Sequence, residues 1–118
     1  MLTLLGKELR KLRLEHGELL KDMADCLSIT PAYLSSIEHG KRVPPKDLTA
    51  KLQKYYRLDE GAYEIILDAY YQTVEEVNLS LKTASPRQRD LGLAFARKFD
   101  GLSPEDIKKM MAILKRED

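Results

Sequence analysis

The chain of 118 residues contains a single cysteine, Cys26, and this scarcity excludes several kinds of protein. One cysteine cannot form an internal disulfide or a cluster of thiolate metal ligands. No apolar run approaches the roughly 20 residues that a membrane span requires. The first residues also lack the ordered regions of a signal peptide. We therefore expect a cytoplasmic protein without membrane contact.

The sequence also lacks the motifs of an enzyme. It contains no phosphate-binding loop, no nucleophile beside a plausible base and no cluster of metal ligands. The two histidines, His16 and His39, are too isolated for a metal site, and Glu38 has no partner carboxylate nearby in the sequence. We expect no catalytic activity, metal or cofactor. Strand patterns, repeats and low-complexity stretches are missing too, which favours an all-α protein.

The most informative pattern that is present lies in residues 20–39. Apolar or small residues recur at helical spacing on two short segments around a tight turn: Met23, Ala24, Leu27, Ile29, Leu34 and Ile37. Ala24 is small where two helices that cross steeply bring their backbones together. This spacing predicts a helix-turn-helix, whose second helix enters the major groove of DNA. A generic helical hairpin would share only a few of these positions.

Four short helices are predicted in the amino-terminal half of the chain, residues 1–58. Their approximate ranges are 3–16, 19–27, 30–39 and 47–56. Thr30 is expected to cap the third helix, with Pro31 in its first turn. Tyr55 is expected on the buried face of the fourth helix.

Beyond Arg57 the pattern changes to one long predicted helix over residues 59–83, followed by helices over about 86–99 and from 104 onward. An apolar seam recurs along the long helix at spacings of four and three: Tyr63, Leu67, Tyr70, Val74, Val77 and Leu81. The tyrosines could stack on single-stranded bases, but their spacing and the lack of interleaved basic residues favour packing. The seam is expected either to pair across a dimer or to fold back on its own domain.

The charge is distributed unevenly between the two halves. Residues 1–58 hold eleven basic and seven acidic side chains, a net charge of +4, and residues 59–118 hold nine and twelve, a net charge of −3. A basic amino-terminal half beside an acidic remainder is typical of a DNA-binding head with a protein-binding tail. We therefore predict a DNA-binding domain at 1–58 and a helical region for dimerisation or partner binding at 59–118.

Residues 5–58 resemble the Xre/Cro/CI-type helix-turn-helix family of bacterial and phage transcriptional regulators. The resemblance comprises LRKLR with Gly17, the motif itself, and SIEHGKR with the prolines that follow. It implies a five-helix, lambda-repressor-like DNA-binding domain followed by a helical dimerisation extension. It also implies a homodimer on double-stranded DNA with an inverted-repeat operator.

The resemblance also implies roles for individual residues. Those expected to read bases are Ala32, Tyr33 and Ser36. Those expected to contact the DNA backbone are Lys21, Thr30, Ser35, Lys41, Arg42 and Lys46. Arg13 and Glu38 are expected to form a structural salt bridge. The chain departs from the family pattern at Leu19 and Leu20, where a cap and a phosphate contact are usual, and at Ser28, which replaces the usual turn glycine.

These observations predict a sequence-specific transcriptional regulator, most simply a dimeric repressor that occludes a promoter. Two alternatives stay open. One is an antitoxin that represses its own operon and holds a toxin through its carboxyl-terminal helices, since the tail is long for a minimal repressor. The other is a regulator whose carboxyl-terminal helices bind a small-molecule or peptide effector.

Overall fold

A computed structural model describes residues 1–116, and in this range the chain is all-α, without strands. The α-helices are α1 (Leu4–Glu15), α2 (Leu20–Leu27), α3 (Pro31–Glu38), α4 (Leu48–Tyr56), α5 (Glu60–Tyr71), α6 (Pro86–Lys98) and α7 (Pro104–Lys115). A short 3-10 turn, Phe99–Gly101, follows α6. None of the helices described is long and apolar enough to cross a membrane.

Threonine caps mark the starts of α1 and α3, and the cap at Thr30 is the predicted one. The Thr3 hydroxyl accepts a hydrogen bond from the Gly6 N–H at 3.0 Å, and the Thr30 hydroxyl accepts one from the Tyr33 N–H at 3.1 Å. Each bond satisfies a backbone donor that has no partner within the first turn of its helix. The existence and order of the first four predicted helices are confirmed.

The turn between α2 and α3 depends on Ser28, which lies in the left-handed region with φ 59°. The N–H of Ile29 donates to the Ala24 carbonyl at 3.0 Å and closes the end of α2. A non-glycine residue in this conformation is mildly strained, so Ser28 fulfils the role of the usual glycine at some energetic cost. Ala24 is fully buried in the core to which α2 and α3 both contribute.

The chain divides into two compact units, Met1–Val77 and a second one that begins at Asn78. The core of the first unit is formed by apolar side chains from α1 to α5: Leu5, Leu9, Leu12, Met23, Ala24, Leu27, Leu34, Ile37, Leu48, Leu52, Tyr56, Ile66, Ala69 and Tyr70. The prediction that Tyr55 is buried is wrong, because Tyr56 occupies the core and Tyr55 remains 50% exposed. The unit therefore includes α5, beyond the boundary at residue 58 that the charge pattern indicates.

The single long helix predicted over 59–83 is wrong. It ends at Tyr71, and no helix forms between residues 72 and 85. Consequently, the residues assigned to a dimerisation seam do not lie on one helical face. Tyr63, Leu67 and Tyr70 lie on α5, Val74 and Val77 follow its end, and Leu81 lies in the second unit. Tyr70 packs into the core of its own unit.

Local chemistry explains why the helix ends early. The Thr73 hydroxyl donates to the Tyr70 carbonyl at 2.8 Å, which satisfies one of the last acceptors of α5. No basic residue stands in the last turn of α5, and Glu75 and Glu76 follow it, where negative charge opposes the helix dipole. Valine, threonine, asparagine and serine are frequent over 73–83 and are weaker helix formers.

Candidate nucleic-acid interface

Helix α3 presents its first turn and one side to solvent. Thr30, Pro31 and Ala32 are exposed, and Tyr33 and Ser36 are half-buried. The opposite side enters the core through Leu34 and Ile37, which are almost fully buried. The side that carries Tyr33 and Ser36 is thus accessible, as a helix that reads base edges in a major groove requires.

The backbone after α3 turns sharply and brings two basic residues next to this helix. Gly40 adopts φ 72°, and the N–H of Lys41 donates to the Ser36 carbonyl at 2.8 Å. This 6→1 hydrogen bond is characteristic of a Schellman cap. Glycine is favoured at the position of Gly40 because the backbone there is left-handed. Lys41 and Arg42 follow at once and are exposed.

The remaining residues predicted to contact the DNA backbone are less uniform in exposure. Lys21, in the first turn of α2, and Lys46, before α4, are exposed. Ser35 is half-buried, and its carbonyl accepts the N–H of His39 at 3.1 Å. The structure therefore brings Lys41 and Arg42 to the end of α3 through a defined turn, whereas Lys21 and Lys46 belong to neighbouring segments.

Tyr33 and Arg42 interact directly. The Arg42 guanidinium carbon lies 5.4 Å from the centroid of the Tyr33 ring, within the range of a cation–π contact. The Tyr33 hydroxyl is 3.4 Å from the Val43 carbonyl and donates to it. The Tyr33 side chain thus links α3 to the loop that carries Lys41 and Arg42. Sequence reasoning placed both residues at the interface but did not anticipate this contact.

Arg13 and Glu38 form the ion pair that the family resemblance implies. Both side chains are buried, and the Arg13 guanidinium engages both carboxylate oxygens of Glu38, with Nη2 at 3.2 Å from Oε1. A bidentate pair of this kind fixes orientation as well as distance. It ties α1 to the last residue of α3 and so holds α3 at a set angle.

Two residues that hold α3 and α2 in place were not predicted from the sequence. Gly6 lies in α1 against the end of α3, where an added Cβ would be 2.1 Å from the Glu38 carbonyl oxygen. Lys51 of α4 donates to the Leu27 carbonyl at 3.3 Å and pairs with Asp47 at 3.1 Å. A glycine inside a helix was a usable signal for a close approach, because it is otherwise unfavourable there.

Glu18 connects the start of the motif to the end of α4. Its carboxylate accepts hydrogen bonds from the Tyr55 hydroxyl at 3.0 Å and the Tyr56 hydroxyl at 2.5 Å. Burial and the hydrogen bond to Glu18 raise the pKa of Tyr56 far above its ordinary value, and the bond to Glu18 is the main cause of a smaller rise in the pKa of Tyr55. Both phenols are therefore structural donors at neutral pH.

Replacing Tyr56 by phenylalanine should lower the free energy of unfolding by about 1.5–3 kcal/mol at pH 7, the usual value of a hydrogen bond to a charged group. The raised pKa of Tyr56 means that its contribution is complete below the unfolded value near 10 and is lost as pH rises above it. The difference between wild type and Tyr56→Phe should therefore shrink between about pH 10 and 12. Urea titrations at several pH values measure this, and a constant difference would contradict it.

Within the described residues, neither the cysteine nor the metal-ligating side chains form a second site. Burial raises the pKa of the Cys26 thiol, followed by the effect of the Glu18 charge, which disfavours the thiolate that a nucleophile needs. Within residues 1–116 no three histidine, cysteine or acidic side chains come close enough to hold a metal ion. The surface around α3 is thus the candidate site.

Comparison with protein families places the amino-terminal part of the chain. A family model described as a helix-turn-helix domain matches residues 4–78, which include α1 to α5 and the segment after them. No curated protein and no solved structure matches the chain.

Proposed function

The chain belongs to the helix-turn-helix domain family, and from this premise we propose that it is a sequence-specific transcriptional regulator that binds double-stranded DNA as a dimer. Its DNA-binding surface consists of the outer side of α3 and the basic residues after it. The mode of action that we propose is repression, in which the bound dimer occludes a promoter with an inverted-repeat operator.

The observation that carries this proposal is the arrangement around α3. Its buried side is fixed by Leu34, Ile37 and the Arg13–Glu38 pair, while its outer side remains accessible and is followed by Lys41 and Arg42. A rigidly held helix beside exposed cations provides both parts of DNA recognition. The cations position the protein on phosphates, and the helix reads base edges.

The side chains on α3 suggest a division of roles. Ala32 offers a methyl group for a thymine, and Ser36 and Tyr33 offer hydroxyls for base edges. Lys21, Thr30, Ser35, Lys41, Arg42 and Lys46 would contact phosphates. In a symmetric dimer two copies of α3 would lie about 34–36 Å apart, one turn of DNA. Joining the copies makes the second contact effectively intramolecular, which raises occupancy.

Two substitutions separate reading from positioning. Tyr33→Ala should weaken binding to the preferred operator about tenfold more than binding to a scrambled duplex, the magnitude of one lost base contact. Arg42→Ala should weaken both duplexes equally and reduce the slope of log affinity against log salt by about one unit. Titrations of both duplexes at several salt concentrations measure these effects, after selection of an operator from a random DNA library.

Two further variants serve as controls. Lys54→Ala removes an exposed cation from α4, outside the proposed surface, and should leave the salt slope unchanged. Tyr33→Phe keeps the ring beneath Arg42 but removes the hydroxyl that donates to Val43, so any loss that it shares with Tyr33→Ala belongs to the hydroxyl. Equal effects of Tyr33→Ala and Arg42→Ala on both duplexes would refute the division of roles, and failure of the library to yield any operator would refute the proposal.

An autoregulatory antitoxin is the second candidate. It is favoured by the second unit, where the large apolar side chains of α6 and α7 are exposed and available to a protein partner. Co-expression with each gene next to the chain's own would test it. A stable stoichiometric complex that abolishes growth arrest by the neighbour would establish this function, and it would leave the DNA-binding surface unchanged.

A further inference from the structure

Helices α6 and α7 lack a buried core within the described part of their unit. None of their residues is buried, and their large apolar side chains are 38% to 77% exposed: Leu91, Leu93, Phe95, Ile107, Met110, Met111, Ile113 and Leu114. Monomeric proteins rarely leave so many neighbouring apolar side chains in water. These helices therefore need a partner surface.

Helix α7 has the pattern of a helix that docks into a groove. Ile107, Met110, Met111 and Leu114 recur at spacings of three, one and three, and form one apolar stripe. Lys108 and Lys115 lie seven residues apart along the same edge of this stripe, and both are exposed. Lys109 is already paired with Glu105 of its own helix at 3.7 Å. The stripe thus has a basic edge, and a complementary binding surface would be an apolar groove with acidic residues along its rim.

The first unit contains such a receptor between α1 and α5. A groove of about 310 Å³ lies there. Its apolar floor is formed by Leu4, Ile65 and Ala69, and its acidic rim by Glu8, Glu64 and Asp68. Leu4 and Ile65 are 49% and 55% exposed. A second depression shares Glu8 and Ile65 with the groove and is also lined by Lys11 and Glu15 of α1.

The charge of the chain is segregated in the same way. Residues 59–77 hold six acidic and no basic side chains, whereas residues 78–118 hold nine basic and six acidic ones. The acidity of the carboxyl-terminal half thus lies in α5 and the segment after it, and the following residues are net basic. Opposite charges steer association and suppress wrong partners.

We propose that α7 of a second copy of this chain binds the groove between α1 and α5, and that two copies exchange this contact reciprocally. The lengths agree, because α7 and α1 each contain 12 residues, about 18 Å of helix at 1.5 Å per residue. An amphipathic helix in a hydrophobic groove is a recurrent recognition mode, and a reciprocal exchange gives a closed two-fold dimer. The inference rests on the dimer in the proposed function and names the surface that joins it.

Charge reversal on each side of the interface tests the proposal with the full-length protein. One variant carries Glu64→Lys and Asp68→Lys in the groove, and the other carries Lys108→Glu and Lys115→Glu on α7. Each variant alone would place like charges opposite each other at both contacts of a dimer. Sedimentation equilibrium should show the dissociation constant of each rise about tenfold or more.

Mixing the two variants in equal amounts is the decisive step. In the mixed dimer a lysine groove meets a glutamate helix, and a glutamate groove meets a lysine helix, so opposite charges face each other at both contacts. The mixture should dimerise within about threefold of wild type. A contact within one chain could not be rescued by mixing, because each chain would still hold like charges.

The control is the double variant Glu75→Lys with Glu76→Lys. It also reverses two charges in the acidic segment 59–77, but both residues lie outside α7 and outside the groove. It should leave the dissociation constant unchanged. Circular dichroism checks that each variant is folded, and Glu64→Gln with Asp68→Asn, which only neutralises the rim, should weaken dimerisation less than the reversal. A mixture that remains as weak as its components, or a wild type that stays monomeric, would overturn the proposal.

Titration of DNA separates this inference from the proposed function. If wild type selects an operator but mixing rescues nothing, the dimer uses another surface and the regulator stands. If mixing rescues the dimer but no operator is found, the interface stands and the proposed function fails. Each variant should still bind an isolated half-site like wild type, because the substitutions lie outside α3 and its loop.

Discussion

Replacing Gly6 by alanine should destabilise the first unit by about 3 kcal/mol, at the upper end of the range for overpacking a well-packed contact. The added methyl would stand 2.1 Å from the Glu38 carbonyl oxygen and within 3.0 Å of the Glu38 Cα. These are backbone atoms, so no side-chain rotation can relieve the clash. Helix α1 must move away from the end of α3, and the hydrogen bond from the Thr3 N–H to the Glu38 carbonyl, 3.0 Å long, must stretch.

The measurement is the free energy of unfolding from urea titration, with Gly61→Ala as the matched control. Gly61 is also helical, but the nearest atom to an added Cβ there is an Asp59 carboxylate oxygen at 3.7 Å, an ordinary contact. Since alanine is the better helix former, the control should be neutral or stabilising by up to about 1 kcal/mol. A Gly6→Ala variant as stable as wild type would show that α1 and α3 can separate freely.

The sequence predicted the helix-turn-helix because the relevant contacts are local. Caps, the turn and the apolar stripes all lie within a few residues of one another, so Thr30 and the small Ala24 were informative without any tertiary structure. The Arg13–Glu38 pair spans 25 residues, and it was accessible only through the family resemblance. The contact of Tyr33 with Arg42 and Val43 depends on how one loop folds back, which no periodicity encodes.

The prediction of one long helix was wrong because apolar spacing alone was used as evidence for it. An apolar residue at every third or fourth position is required for a helix, but it does not show that the chain stays helical between them. From Thr73 onward, weak helix formers and two glutamates in a row outweighed the spacing. Tyr70 fitted the predicted seam because it is a core residue of the first unit. Val77 and Leu81 fitted the same spacing by coincidence.

Removing one partner of the Arg13–Glu38 pair should lower the free energy of unfolding by about 3–5 kcal/mol, since the other charge would stay buried without compensation. Glu38 is 1% exposed and Arg13 is 6% exposed, so water cannot replace either partner. The total free energy of unfolding of a domain is typically about 5–15 kcal/mol. Arg13→Ala or Glu38→Ala should therefore leave only a small part of it. Urea titration of both variants measures the loss.

The double variant Arg13→Met with Glu38→Leu separates charge from packing. If the pair serves mainly to avoid an uncompensated charge, an apolar replacement of similar volume should recover most of the stability. If it also sets the angle of α3, the double variant should fold but bind its operator more weakly, because the proposed recognition helix has lost a bidentate tether at its end. In conditions where each single variant is still folded, its preference for operator over scrambled DNA should stay near wild type, since neither side chain is exposed to DNA. A single variant that loses that preference while keeping its stability would instead place the pair within the reading surface.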